Sequence, residues 1–231
     1  SQSAFEEAVT FVGDCDSVWL LYIKYAQIHR LNIPEIAKRA HMVCPQSADI
    51  TYQYCLQGDT SDDQVCEMAR KYKKHEGLQL LFAKNPKHIP EALQHTPTSL
   101  HLWIRSCLHA RNTSGPAAFR AHWEKARRAV GKQPLLWWPH LSLMYSPSVA
   151  SMALKECPTS GLLFYQTTML DQTRNEHQLK SRFLDALKRY PSSDPFPHLL
   201  VGELLRKMDG VCSSRYVEHL ERALGCAGAY A

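Results

Sequence analysis

The chain has 231 residues, 45% of them hydrophobic and 21% charged, with a net charge of +5. That balance belongs to an ordinary folded protein; it excludes a disordered or collagen-like chain and does not announce a dedicated nucleic-acid polycation. No apolar run reaches the roughly 20 residues that a membrane-spanning helix needs, so no membrane contact is expected.

Apolar spacing of three and four predicts helices from end to end, and no useful stretch alternates with the period of two that a strand requires. The first helix is expected over 3–10. Asp16 or Ser17 then caps an aromatic helix carrying Trp19, Tyr22 and Tyr25. Helices over 33–43 and 47–57 follow. The loop at 58–61 ends in a capping serine, and Asp62 and Asp63 open, and Lys71, Lys73 and Lys74 close, an additional helix whose charges complement its dipole. A pair at 76–84 and 90–94 comes next, then a strong aromatic helix at 99–110, a turn at 112–116 and the most basic helix at 117–130. Helices over 133–144, 148–156, 161–170, 175–190, 196–208 and 214–224 complete the series, with the proline-rich 192–197 as the expected bend. The chain opens inside a helix of the second type and stops where one of the first type is due, which reads as a piece of a longer protein.

One spacing organises all of this. Of the 13 prolines, Pro45, Pro97, Pro134, Pro158 and Pro191 each follow an alanine by five positions: Ala40, Ala92, Ala129, Ala153 and Ala186. Chance would give about one such pair. Ala8 with Gly13 and Ala223 with Gly228 keep the spacing with glycine in the second place. Alanine lets a neighbouring helix approach to roughly 8–10 Å, and proline suits the turn after one helix or the first position of the next. Eleven residues after the alanine stands a bulky filler, Trp19, Trp103 or Phe164, with Thr51, His140 and Pro197 as degenerate copies. The expected fold is therefore all-α: an α-solenoid of antiparallel helix pairs over 1–231, in which each pair needs its neighbours to bury its apolar face.

The runs at 18–27, 36–54 and 92–104 resemble half-a-TPR (HAT) repeats, which are close to tetratricopeptide repeats. Trp19 and Tyr22 match the aromatic first helix, Lys38, Arg39 and Ala40 the basic-alanine second helix, and Pro45 the closing proline. The pattern departs at Thr51 and Ser106, where aromatics are expected, and in the uneven distances between copies. The resemblance implies a protein-binding scaffold in a nuclear RNA-processing assembly, acting in pre-rRNA processing, splicing, 3′-end formation or exosome targeting. It implies a nucleoplasmic or nucleolar location, protein subunits as partners and a homodimer as a second mode of association, with RNA contact secondary.

Catalytic and metal chemistry find little to stand on. The eight cysteines form no CxxC pair and read as reduced, mostly buried thiols. The 12 histidines lack the tight pairing beside a carboxylate that a zinc hydrolase helix needs, and no phosphate-binding glycine loop or nucleophile elbow is present. No enzyme activity and no cofactor are expected. Two basic groups remain as candidates for RNA or an acidic partner: Arg120, Lys125, Arg127, Arg128 and Lys132 around Trp123, and Arg70, Lys71, Lys73 and Lys74. Solvated helix faces are equally basic, and Trp123 is spaced from Phe119 and Ala126 as a core residue. Trp137 and Trp138 point about 100° apart on a helix. One is expected in the core; the other packs on the next repeat or, if exposed, anchors a protein partner. Two alternative functions stay open, a direct RNA-binding module using helix 117–132 and a cytosolic TPR-type adaptor.

Overall fold

The computed structural model describes residues 1–57, 60–171 and isolated positions from 178 to 199. Among these the structure is helical, without strands. The helices are α1 (Gln2–Phe11), α2 (Asp16–His29), α3 (Ile33–Val43), α4 (Ala48–Leu56), α5 (Asp62–Lys71), α6 (Glu76–Phe82), α7 (Ile89–His95), α8 (Leu100–Val130), α9 (Pro134–Leu143), α10 (Pro147–Glu156) and α11 (Gly161–Leu170). The helices expected beyond 175, the bend at 192–197, Ala186 with Pro191, and Ala223 with Gly228 lie outside the described residues or only touch them at isolated positions. So do Gly58, Asp59 and Pro197.

The chain divides into two compact units, Ser1–His122 and Trp123–Ala231. In the first unit, sequential helices pack as neighbours (α1 on α2, α2 on α3, α3 on α4, α5 on α6, α6 on α7), and alternate ones also touch: α2 with α4, and α4 with α6. The second unit repeats the arrangement, with α9 on α10, α10 on α11, and α9 against α11.

One turn conformation recurs between helices and explains the spacing. The amide of Val12 donates to the Ala8 carbonyl at 2.9 Å, Cys44 to Ala40 at 2.8 Å, Tyr72 to Met68 at 2.9 Å, Thr96 to Ala92 at 3.0 Å and Cys157 to Ala153 at 2.9 Å. Three residues later a second amide closes the turn: Cys15 onto Val12, Ser47 onto Cys44, His75 onto Tyr72, Ser99 onto Thr96 and Ser160 onto Cys157. The backbone of the five capping residues is nearly superimposable, as φ −119 and ψ 53 at Val12 and φ −125 and ψ 67 at Cys157 illustrate. The turn ends on the residue that starts the next helix, and Ser47, His75, Ser99 and Ser160 each accept the amide three residues on through their side chains. Pro45, Pro97 and Pro158 lie in these turns.

The copy at Met68 is the element concealed in the long interval between Ala40 and Ala92. Its turn carries Lys73 where the others carry proline or, at Gly13, glycine, so composition does not mark it. Ser61 opens α5 with a reciprocal capping box with Gln64, as its sequence predicts.

Two expectations are corrected in and around α8. The helices expected at 99–110 and 117–130 are both present, but the turn expected at 112–116 narrows, because 112–114 stay helical: the Thr113 hydroxyl donates to the His109 carbonyl at 3.0 Å, and the break falls at Gly115, with φ +84 and ψ −169. That backbone region is essentially closed to any residue with a Cβ. The pair Ala129 and Pro134 is also out of register. Ala129 is exposed, whereas Ala126 is fully buried; Gly131 (φ +75) stands five residues after Ala126, and buried Trp137 eleven after it. Pro134 is the first residue of α9, where its missing N–H costs nothing.

The filler position holds, with a change of chemistry. Trp19 and Phe164 are buried, while Trp103 is half-buried rather than enclosed. Thr51 and Gln79 at this position, and Ser106 three residues past Trp103, are buried polar residues, and each faces a histidine ring nitrogen: Thr51 Oγ1 with His41 Nδ1 at 3.3 Å, Gln79 Oε1 with His95 Nδ1 at 3.2 Å, Ser106 Oγ with His122 Nδ1 at 2.8 Å. Pairing removes the cost of burying them. The small residue of the second-type helices is fully buried at Ala40, Ala92 and Ala153, as the spacing requires. Cys15, rather than Asp16 or Ser17, takes the cap position of α2.

Candidate functional surfaces

The turns expose a row of backbone carbonyls, and the molecule covers them in a regular way. Trp19 Nε1 donates to the Gly13 carbonyl at 2.8 Å, and Trp103 Nε1 to the Pro97 carbonyl at 2.7 Å. At three other turns the side chain at the end of the next second-type helix serves. The Tyr72 hydroxyl donates to Pro45 at 2.7 Å, the Tyr190 hydroxyl to Pro158 at 3.4 Å, and the Cys157 thiol to Lys132 at 3.7 Å. These residues went unassigned in the sequence. Their signal was present, since Tyr190 and Cys157 stand immediately before the turn proline and Tyr72 takes the same place in the proline-free copy.

The basic helix at 117–132 divides into two kinds of residue. Arg127 is committed: its guanidinium pairs with Glu156 and with Glu124 (3.2 Å) and lies 5.6 Å from the Trp123 ring centroid. Burial works against its charge, and the two carboxylates more than offset this. Arg120, Lys125, Arg128 and Lys132 are exposed to solvent. Trp123 belongs to the core. It is 2% exposed, its ring meets Trp137 edge-on at 4.6 Å and His140 at 4.3 Å, and Nε1 donates to the Leu136 carbonyl.

In the second basic group, Arg70 pairs with Glu91 through two hydrogen bonds of 3.0 and 3.3 Å and covers the Phe82 ring. Lys71 donates to the Pro45 carbonyl at 3.2 Å and lies over the Tyr72 ring. Lys73 and Lys74 are exposed on the turn itself, beside a shallow hollow formed with Ala48 and Tyr72. The first basic-alanine arginine, Arg39, is equally committed, to Glu6 and over Trp19. A guanidinium next to an aromatic ring is thus a packing device at three places in this fold.

Of the tryptophan pair, Trp137 is 1% exposed and Trp138 41%. The second indole is therefore partly open to solvent. Leu135, one turn earlier on α9, is 49% exposed and joins it in an apolar strip. A groove of about 810 Å³ was not foreseen. It lies between the start of α5 and the turn after α6, lined by Asp62, Asp63, Cys66, Lys84, Lys87 and His88 among others. Only Lys84, Asn85, Pro86 and Lys87 pointed to it in sequence, as an exposed basic turn. No helix among the described residues is long and apolar enough to cross a membrane. No protein-family profile matches this sequence, and no curated protein matches it.

Proposed function

We propose that the chain is an α-solenoid of HAT/TPR-like helix pairs serving as a protein-binding scaffold subunit in a nuclear RNA-processing assembly. One observation carries the reading: among the described residues the same turn, with the same amide pattern and the same cap position, occurs five times. A chain that repeats one turn presents equivalent helix faces side by side, a surface suited to an extended segment or helix of a partner. The exposed Leu135 and Trp138 supply an apolar anchor of the kind that dominates protein interfaces. The RNA-processing context and nuclear location rest on the resemblance of the repeats alone.

Exposed Arg120, Lys125, Arg128 and Lys132 support a second reading, direct RNA binding. The test is RNA affinity at two salt concentrations for the wild type and for a variant with these four residues changed to glutamate, leaving the committed Arg127 alone. A scaffold gives weak binding that fades with salt in the wild type. Submicromolar binding at physiological salt, abolished in the variant, would reverse the order of the two readings.

A further inference from the structure

The groove beside α5 holds a thiol and a base. Cys66 is half-buried, and its Sγ lies 3.7 Å from Nε2 of His88. The imidazole is fixed from behind: it stacks on the Phe82 ring at 4.2 Å, and Phe82 is in turn covered by the Arg70 guanidinium. Arg70 follows Cys66 by one helical turn on α5, with its charge engaged by Glu91. The groove offers both signs of charge, with exposed Asp62 and Asp63 from α5 and exposed Lys84 and Lys87 from the facing turn.

The other described cysteines lack this setting. Cys44, Cys55, Cys107 and Cys157 are buried, and burial pushes their thiols up, that of Cys107 to about 12. Cys15 is half-buried but has no histidine partner among the described residues. Thiols react as thiolates, so a partly open cysteine beside a base and cations is the one expected to exchange.

We propose that Cys66 is a thiol-exchange site for a low-molecular-weight disulfide bearing carboxylate and ammonium groups, of the glutathione type, with His88 as its base. His88 Nε2 takes the thiol proton, and the Cys66 thiolate attacks one sulfur of the disulfide. A new S–S bond forms to Cys66 as the old one breaks, and the departing thiolate takes the proton back from His88. The disulfide is the oxidant, and one free small thiol is released for each cysteine capped. Lys84 and Lys87 meet the carboxylates of the reagent, and Asp62 and Asp63 its ammonium groups.

The experiment exposes the full chain to oxidised glutathione and reads the rate at each cysteine by peptide mass spectrometry after alkylation. Cys66 is expected to react first among the six described cysteines, and His88→Gln to slow it by about tenfold or more. Lys84→Glu with Lys87→Glu should slow the reaction with oxidised glutathione while leaving that with neutral 2-hydroxyethyl disulfide unchanged. Persistent protection of Cys44 and Cys107 reports that each variant is folded. Cys15 reacting as fast as Cys66, or an unchanged Cys66 rate in a folded His88→Gln variant, overturns the proposal. Should His88→Gln expose the buried thiols, the lysine variant decides, and a loss shared by both disulfides or seen with neither overturns it.

Discussion

Glu6 joins two side chains that stand 16 and 33 positions away in the sequence. Its carboxylate accepts from the Tyr22 hydroxyl at 2.5 Å and from both terminal nitrogens of Arg39, at 3.0 and 2.8 Å. Arg39 and then Tyr22 hold the carboxyl down at about 2, against an ordinary value of 4.5. A depressed carboxyl contributes stability that is complete above its ordinary value and is lost as pH falls through the folded one. The thermal midpoint of the wild type should therefore fall between pH 4.5 and about 2 more steeply than that of Glu6→Gln. Both partners are more than a third open to water, so a double-mutant cycle with Arg39→Met should give a coupling of only about 1 kcal/mol. The two filler tryptophans should differ. Trp19→Ala, at a site 3% exposed, is expected to cost about 3–5 kcal/mol. Trp103→Ala, half-buried, should cost about half as much, measured by denaturant unfolding. Equal costs would mean that exposure does not set the energetics of this position. The difference was not legible in the sequence, where the two residues occupy the same place in the repeat.

At the scale of the element, the turn was legible because its geometry selects residue types: a small residue where helices approach, and proline or glycine where the chain must leave the helix. The same argument misled where two positions satisfy it. Pro134 fits a helix start as well as a turn, so Ala129 was matched to it while the buried alanine is Ala126. The segment Asn112-Thr113-Ser114 has turn chemistry, yet a hydroxyl that bonds back to the preceding helical turn kept it helical up to Gly115. Gly115→Ala should destabilise by about 1–3 kcal/mol, since φ +84 with an extended ψ excludes a Cβ; an unchanged unfolding midpoint would show that the helix can rejoin without it. The latch from Tyr72 to the Pro45 carbonyl is a separate test. Tyr72→Phe should cost about 1 kcal/mol, the net worth of one hydrogen bond. A neutral result would mean that Lys71, which reaches the same carbonyl, suffices alone.

For the whole molecule, the helical class was legible from periodicity, and the candidate surfaces only in part. Basic residues announce themselves in a sequence, but whether a guanidinium faces solvent or a carboxylate depends on residues far along the chain. Glu156 engages Arg127 in this way, and Glu91 engages Arg70 although Arg70 stays exposed. The groove at Cys66 was hidden for the same reason: its base, His88, stands 22 positions away on another element. We propose that this chain binds protein through repeated helix faces and does not depend on RNA to do so. The most direct measurement is affinity capture of the protein from nuclear extract, with and without nuclease, reading the stoichiometry of whatever co-purifies. The account predicts a stoichiometric protein complex that survives nuclease and is weakened by Trp138→Ala with Leu135→Ala, two exposed residues that leave the fold intact. Association that disappears with nuclease, or that is untouched by the double substitution while falling away when Arg120, Lys125, Arg128 and Lys132 are reversed, would contradict it.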